Sequence, residues 1–104
     1  MPFQMMYVTH PDQECAHRIG KDLLNRKLIA CYNLVPIESV YWWEGAICME
    51  GEIVSILKTS LRAGPLVEKA IAEQHPYETP CIIRWEVNAN ASYEEWVENS
   101  LKLD

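Results

Sequence analysis

The sequence predicts an α+β fold, on three observations. Short runs rich in β-branched and aromatic residues alternate with segments whose apolar residues recur at helical spacing. One of the β-type runs, Leu28 to Trp43, is long enough to make an arm and is followed by a turn and a return. A further helical stretch closes the chain after the last strand.

Phe3 to Val8 is an apolar run suited to a first strand, and Thr9-His10-Pro11-Asp12 then starts a helix. Thr9 and Asp12 have capping-box spacing, and Pro11 suits a first turn. Cys15, Ile19 and Leu23 recur every four residues beside Ala16 and Leu24, so that face belongs to a core. His17, Arg18, Lys21, Asp22, Asn25 and Arg26 fill the opposite, solvated side.

In the Leu28–Trp43 run, Pro36 cannot donate to a sheet ladder, which predicts an edge strand or a bulge there. Trp43-Glu44-Gly45-Ala46 reads as a hairpin turn, and the return runs through Ile47-Cys48-Met49 and from Ile53 to Thr59. The polar insert Glu50-Gly51-Glu52 predicts an irregularity between them. Ala63-Gly64-Pro65 opens a second helix carrying Leu66, Val67, Ala70 and Ile71, which stops at His75-Pro76. Cys81 to Val87 is a strand, and Ser92 with Glu95 has capping-box spacing for a last helix with Tyr93, Trp96, Val97 and Leu101 on one face.

This order is the ferredoxin-like β-α-β-β-α-β plan with a long β-hairpin arm and an extra C-terminal helix, one domain over residues 1–104. Exposed aromatic strand edges aggregate unless paired, so a homo-oligomer closed by copies of the same chain is expected.

Composition narrows the function. A formal charge of -6 and no basic stripe argue against a nucleic-acid surface. No apolar run approaches the length of about 18 residues that spans a bilayer, and the N-terminus lacks a basic, cleavable leader, so a cytoplasmic protein with no membrane partner is expected. Cys15, Cys31, Cys48 and Cys81 stand far apart with no C-x-x-C pair, and reduced, mostly buried thiols follow. No nucleophile-base motif and no Gly-rich phosphate loop occurs, so no enzymatic activity is expected.

The segment His75-Pro76-Tyr77-Glu78-Thr79-Pro80 places an imidazole, a phenol and a carboxylate between two prolines. Each proline fixes its own φ and drives the preceding residue toward extended geometry, so the backbone dictates where these side chains point. The segment reads either as a helix stop or as part of a site.

Several stretches, taken in order, resemble one family. They are Val8-Thr9-His10-Pro11-Asp12, Leu28-Ile29-Ala30-Cys31-Tyr32-Asn33, Ser39-Val40-Tyr41-Trp42-Trp43-Glu44-Gly45, Leu57-Lys58-Thr59, the His75–Pro80 segment and Tyr93-Glu94-Glu95-Trp96. Over nearly its whole length the chain is similar to the CutA divalent-cation-tolerance proteins. The resemblance implies a homotrimer of PII-like architecture joined by long β-arms. It also implies a part in divalent cation tolerance and binding of copper or another divalent cation. The copper ligands implied for bacterial members are a cysteine near the end of the first strand and two adjacent histidines before the Pro-Tyr pair. This sequence has Val8 and Gln74-His75 there, and it has Cys81 where the family usually carries glutamate.

The metal candidates are therefore His75, Glu78 and Cys81, with copper and zinc as the soft-ligand cations to consider. Cys31, Tyr41, Trp42, Glu44, Lys58 and Tyr77 are implied as a cleft between subunits, able to hold a metal or a small anion. Packing by Tyr41 and Trp42 and a Glu44–Lys58 cross-strand pair are the competing readings. A PII-like regulatory trimer that binds a small molecule is the alternative function.

Overall fold

The computed structural model describes residues 1–102. Strand β1 is Phe3–His10, helix α1 Gln13–Asn25, strand β2 Cys31–Trp43, strand β3 Ala46–Thr59, helix α2 Gly64–Gln74, strand β4 Ile82–Val87 and helix α3 Ala91–Ser100. The strands form one antiparallel sheet in the order β2-β3-β1-β4. This is the ferredoxin-like plan with the hairpin arm and the added helix.

Strand alternation sets the layers. Met6 and Val8 point from β1 to the same face as Leu57 on β3, where Cys15, Ile19 and Leu23 of α1 and Val67 and Ile71 of α2 cover them. Burying each of these aliphatic chains contributes about 2 kcal/mol, which makes this layer the main source of stability. Gly20 lets the helix approach: a Cβ there would lie 2.6 Å from the Tyr32 ring, whose hydroxyl is 2.8 Å from His17 Nδ1.

The opposite face is half covered. Alternation puts Met5 with Trp85 and Tyr7 with Ile83 on it, and Ile83 and Trp85 remain exposed. Helix α3 packs over one end, with Val97 buried and the Tyr93 ring 5.9 Å from Phe3.

The arm is the longest feature. Glu44 and Gly45, both at positive φ, make a two-residue turn, a conformation glycine adopts without strain. That turn fixes the register of the whole hairpin, pairing Trp43 with Ala46, Ser39 with Glu50, Ile37 with Glu52 and Cys31 with Lys58. The molecule extends 47 × 24 × 20 Å, and its radius of gyration of 14.4 Å exceeds the roughly 13 Å of a compact chain this long.

Four local expectations are corrected. Strand β1 runs on through Thr9 and His10, and Asp12 is the N-cap of α1, accepting from the Cys15 N–H at 2.8 Å, which leaves Pro11 outside the helix. The Glu50-Gly51-Glu52 insert causes no break, because the turn register carries it straight through the ladder opposite Ile37, Glu38 and Ser39. Ser92 lies inside α3, whose N-cap is Asn90, and Glu94 accepts from the Ala89 N–H instead. Leu24 is partly exposed, since α1 turns it to the edge of its apolar stripe. Pro36 sits on the edge strand, where no ladder bond is lost to an inner neighbour.

Candidate functional site

A cavity of about 790 Å³ opens where the base of the arm meets the 76–81 segment. One wall is Tyr41, Trp42 and Trp43 of β2, the floor includes Tyr7 and Thr9 of β1, and Pro76, Tyr77, Glu78, Thr79 and Cys81 close the other side. The two prolines set this corner: His75 ends α2 in extended geometry, its N–H bonding Ile71 O at 2.9 Å, and the chain turns across the sheet into β4.

Charge is the cleft's clearest property. Glu38, Glu50, Glu52 and Glu78 all line it, and among the described residues no lysine, arginine or histidine does. Glu52 is only 8% exposed, and its Oε2 accepts the Tyr77 hydroxyl at 2.6 Å. Tyr41 donates in the same way to Glu50. Burial and then this bond to Glu52 push the Tyr77 phenol far up, while the bond to Glu50 leads the rise of Tyr41 to about 12. Both phenols therefore stay protonated as donors. Burial, followed by the nearby Glu52, also raises the Cys81 thiol and disfavours its thiolate.

The implied site residues separate in space. Tyr41, Trp42, Tyr77, Glu78 and Cys81 share the cleft. His75 lies beside it with both ring nitrogens engaged: Nδ1 accepts from the Tyr77 N–H at 3.1 Å, so Nε2 carries the hydrogen and donates to Thr9 O at 2.8 Å. A cation reaching His75 must break one of these bonds. Cys31 and Lys58 face each other at the other end of the hairpin, where Cys31 Sγ contacts the Tyr93 hydroxyl at 3.5 Å and Lys58 donates to Asn33. Glu44 is in the turn at the tip, so the expected Glu44–Lys58 pair is corrected: the register puts them at opposite ends of the arm. No group of three or more His, Cys, Asp or Glu side chains stands ready to hold a metal among the described residues.

The two positions where the sequence departs from the implied copper set are structural. Val8 is fully buried under the helices, and Gln74 Nε2 ties α2 to α1 by donating to Asp22 Oδ2 at 3.0 Å.

A second polar group escaped the sequence reading. His10 is buried, with Nε2 2.8 Å from Ser55 Oγ and Nδ1 3.7 Å from Cys15 Sγ, and its ring stacks on His75 at 5.2 Å. Burial, then the neighbouring His75, lowers its pKa to about 4. Burial also raises the Cys15 thiol, so this pair is a neutral, packed contact rather than an activated nucleophile and base.

A family model for the CutA1 divalent ion tolerance protein matches residues 4–100. The chain belongs to that family. It is 40% identical over 94 residues to the divalent-cation tolerance protein CutA of Thermococcus kodakarensis, covering 89% of this chain and 90% of that one. The crystal structure of divalent ion tolerance protein CutA1 from Ehrlichia chaffeensis superposes with a TM-score of 0.93 at 40% identity, covering 97% of this chain and 96% of the other. The periplasmic divalent cation tolerance protein CutA from Archaeoglobus fulgidus gives a TM-score of 0.92 at 35% identity, with 98% and 100% covered. Membership ties the chain to divalent cation tolerance. No helix among the described residues is long and apolar enough to cross a membrane.

Proposed function

We propose that this chain serves divalent cation tolerance as a cytoplasmic, non-enzymatic homotrimer, and that the acidic cleft at the arm base is where it meets a cation. The observation that carries this is the lining itself: four glutamates, one of them nine-tenths buried, with no basic residue among the described residues that line it. Copper or another divalent cation is met by Glu78, Glu52 and Cys81, and by His75 once its bond to Thr9 or Tyr77 is given up. With no preformed three-donor group among the described residues, such binding is weak.

The trimer is supported by the exposed apolar surface. Val40, Trp42, Ile47 and Met49 on the arm, with Ile83 and Trp85 on the open sheet face, form the kind of surface that a second copy of the chain covers. Calorimetric titration with Cu²⁺ and Zn²⁺ tests the cation reading on the wild type, His75→Ala and Glu52→Gln. Loss of heat in Glu52→Gln supports the cleft, and equal binding by all three proteins removes it as the site.

A second reading, a PII-like regulatory trimer that binds a small molecule, is favoured by the cavity's size. About 790 Å³ falls in the roughly 300–1,000 Å³ of small-ligand sites.

A further inference from the structure

We infer that the buried contact between His10 and Cys15 is a two-coordinate site for a soft monovalent cation, Cu⁺. The inference is independent of the cleft. Strand alternation turns Tyr7 and Thr9 of β1 toward the cleft and His10 toward the helices, on the opposite face of the sheet.

The donors are already in place. His10 Nδ1 stands 3.7 Å from Cys15 Sγ, with the histidine 1% exposed and the cysteine 6%. Zinc, which has the same filled d shell, bonds a thiolate at about 2.3 Å and an imidazole nitrogen at about 2.0 Å, so an ion held between two such donors needs them no more than about 4.3 Å apart. A shift of the sulfur by about half an ångström therefore opens a nearly straight S–Cu–N arrangement. The ring is also oriented for it. Nε2 is 2.8 Å from Ser55 Oγ, and when that nitrogen carries the hydrogen and donates to Ser55, the Nδ1 lone pair faces the sulfur. His75, stacked at 5.2 Å, holds the plane of the imidazole, and the Asp12 cap on the Cys15 N–H holds the first turn that carries the thiol.

Donor number and charge select the ion. Thiolate and imidazole suit Cu⁺, which two ligands satisfy, whereas structural zinc takes four and calcium six or more. No third His, Cys, Asp or Glu joins this pair among the described residues, and both ring nitrogens of His75 are engaged elsewhere. On binding, the Cys15 proton leaves to solvent, one S–Cu and one N–Cu bond form, and no electron is transferred. The thiolate cancels the charge of Cu⁺, so the buried site stays neutral, where a divalent ion would leave a net positive charge in it. Arg18, exposed and with a guanidinium nitrogen 3.7 Å from the sulfur, covers the way in.

The test is anaerobic titration of the full chain with Cu⁺ buffered by a chromogenic chelator. It is run on the wild type, Cys15→Ala, His10→Gln and the triple variant Cys31→Ser/Cys48→Ser/Cys81→Ser, which removes the three part-exposed thiols. X-ray absorption on the singly loaded wild type reads the ligands directly. The wild type and the triple variant are each expected to take one equivalent from the chelator, His10→Gln and Cys15→Ala to bind it at least about tenfold more weakly, and the metal to show one sulfur and one nitrogen. No equivalent taken by the wild type overturns the site outright. Equal affinity in Cys15→Ala, loss of the equivalent from a folded triple variant, or a sulfur-only shell overturns it in favour of the other thiols. Circular dichroism shows which variants fold, and where one does not, the ligand shell of the wild type decides.

Discussion

The buried histidine on β1 makes the most specific demand on solution behaviour. The folded protein holds His10 near a pKa of about 4, against the ordinary imidazole value of 6.5 in an unfolded chain. Its surroundings account for the direction: burial first, then His75 stacked at 5.2 Å and Arg18 on α1, only partly opposed by Glu52 and Asp12. Between those two values the unfolded state binds more protons than the folded one, so stability rises with pH across that window. The contribution is fully present above 6.5 and is lost as the pH falls through the folded value. The shift corresponds to about 3 kcal/mol at most. Guanidinium unfolding from pH 7.5 down to pH 4, at one fixed protein concentration, measures it in the wild type and in His10→Gln. Carboxylates titrate in both proteins, so the difference between the two curves isolates His10. The wild type is expected to lose about 3 kcal/mol more than the variant between pH 6.5 and pH 4. Parallel curves would refute the assignment of a buried neutral His10.

Further outcomes follow from single contacts. Tyr77→Phe leaves buried Glu52 without its donor, and chemical denaturation is expected to show a loss of about 1–3 kcal/mol. Gly20→Ala gains helix propensity but drives a methyl into the Tyr32 ring, so the midpoint should fall rather than rise, and a rise would contradict the close approach. Leu23→Ala removes a fully buried side chain beneath the sheet and should cost about 2–5 kcal/mol in the same assay. Light scattering after size exclusion should give three times the 12.0 kDa chain mass, and a monomer at micromolar concentration would overturn the proposed trimer.

Much of this fold could be read from the sequence because its devices are local. The four-residue spacing of Cys15, Ile19 and Leu23 and the Glu44-Gly45 turn each act within a few residues, and the structure realises both. The helix starts were harder to read. Thr9 and Ser92 have capping spacing, but the sheet holds Thr9 in β1, and Asn90 takes the cap of α3. The site was legible only in part. Tyr77, Glu78 and the arm aromatics stand out as motif residues, whereas Glu50 and Glu52 look like a polar interruption. Counting back from the two-residue turn places them opposite Ser39 and Ile37, beside Tyr41, so register was the signal that could have found them. The His10, Ser55 and Cys15 contacts come from long-range pairing and packing, which no local pattern reports.

The central claim is that the acidic, aromatic cleft at the base of the arm receives the cation. Anomalous diffraction at the zinc absorption edge, from crystals grown with a divalent zinc salt, tests it most directly. The account predicts a peak inside the cleft, against the carboxylates of Glu52 and Glu78. A peak found only elsewhere on the protein, or none with zinc in large excess, would contradict it.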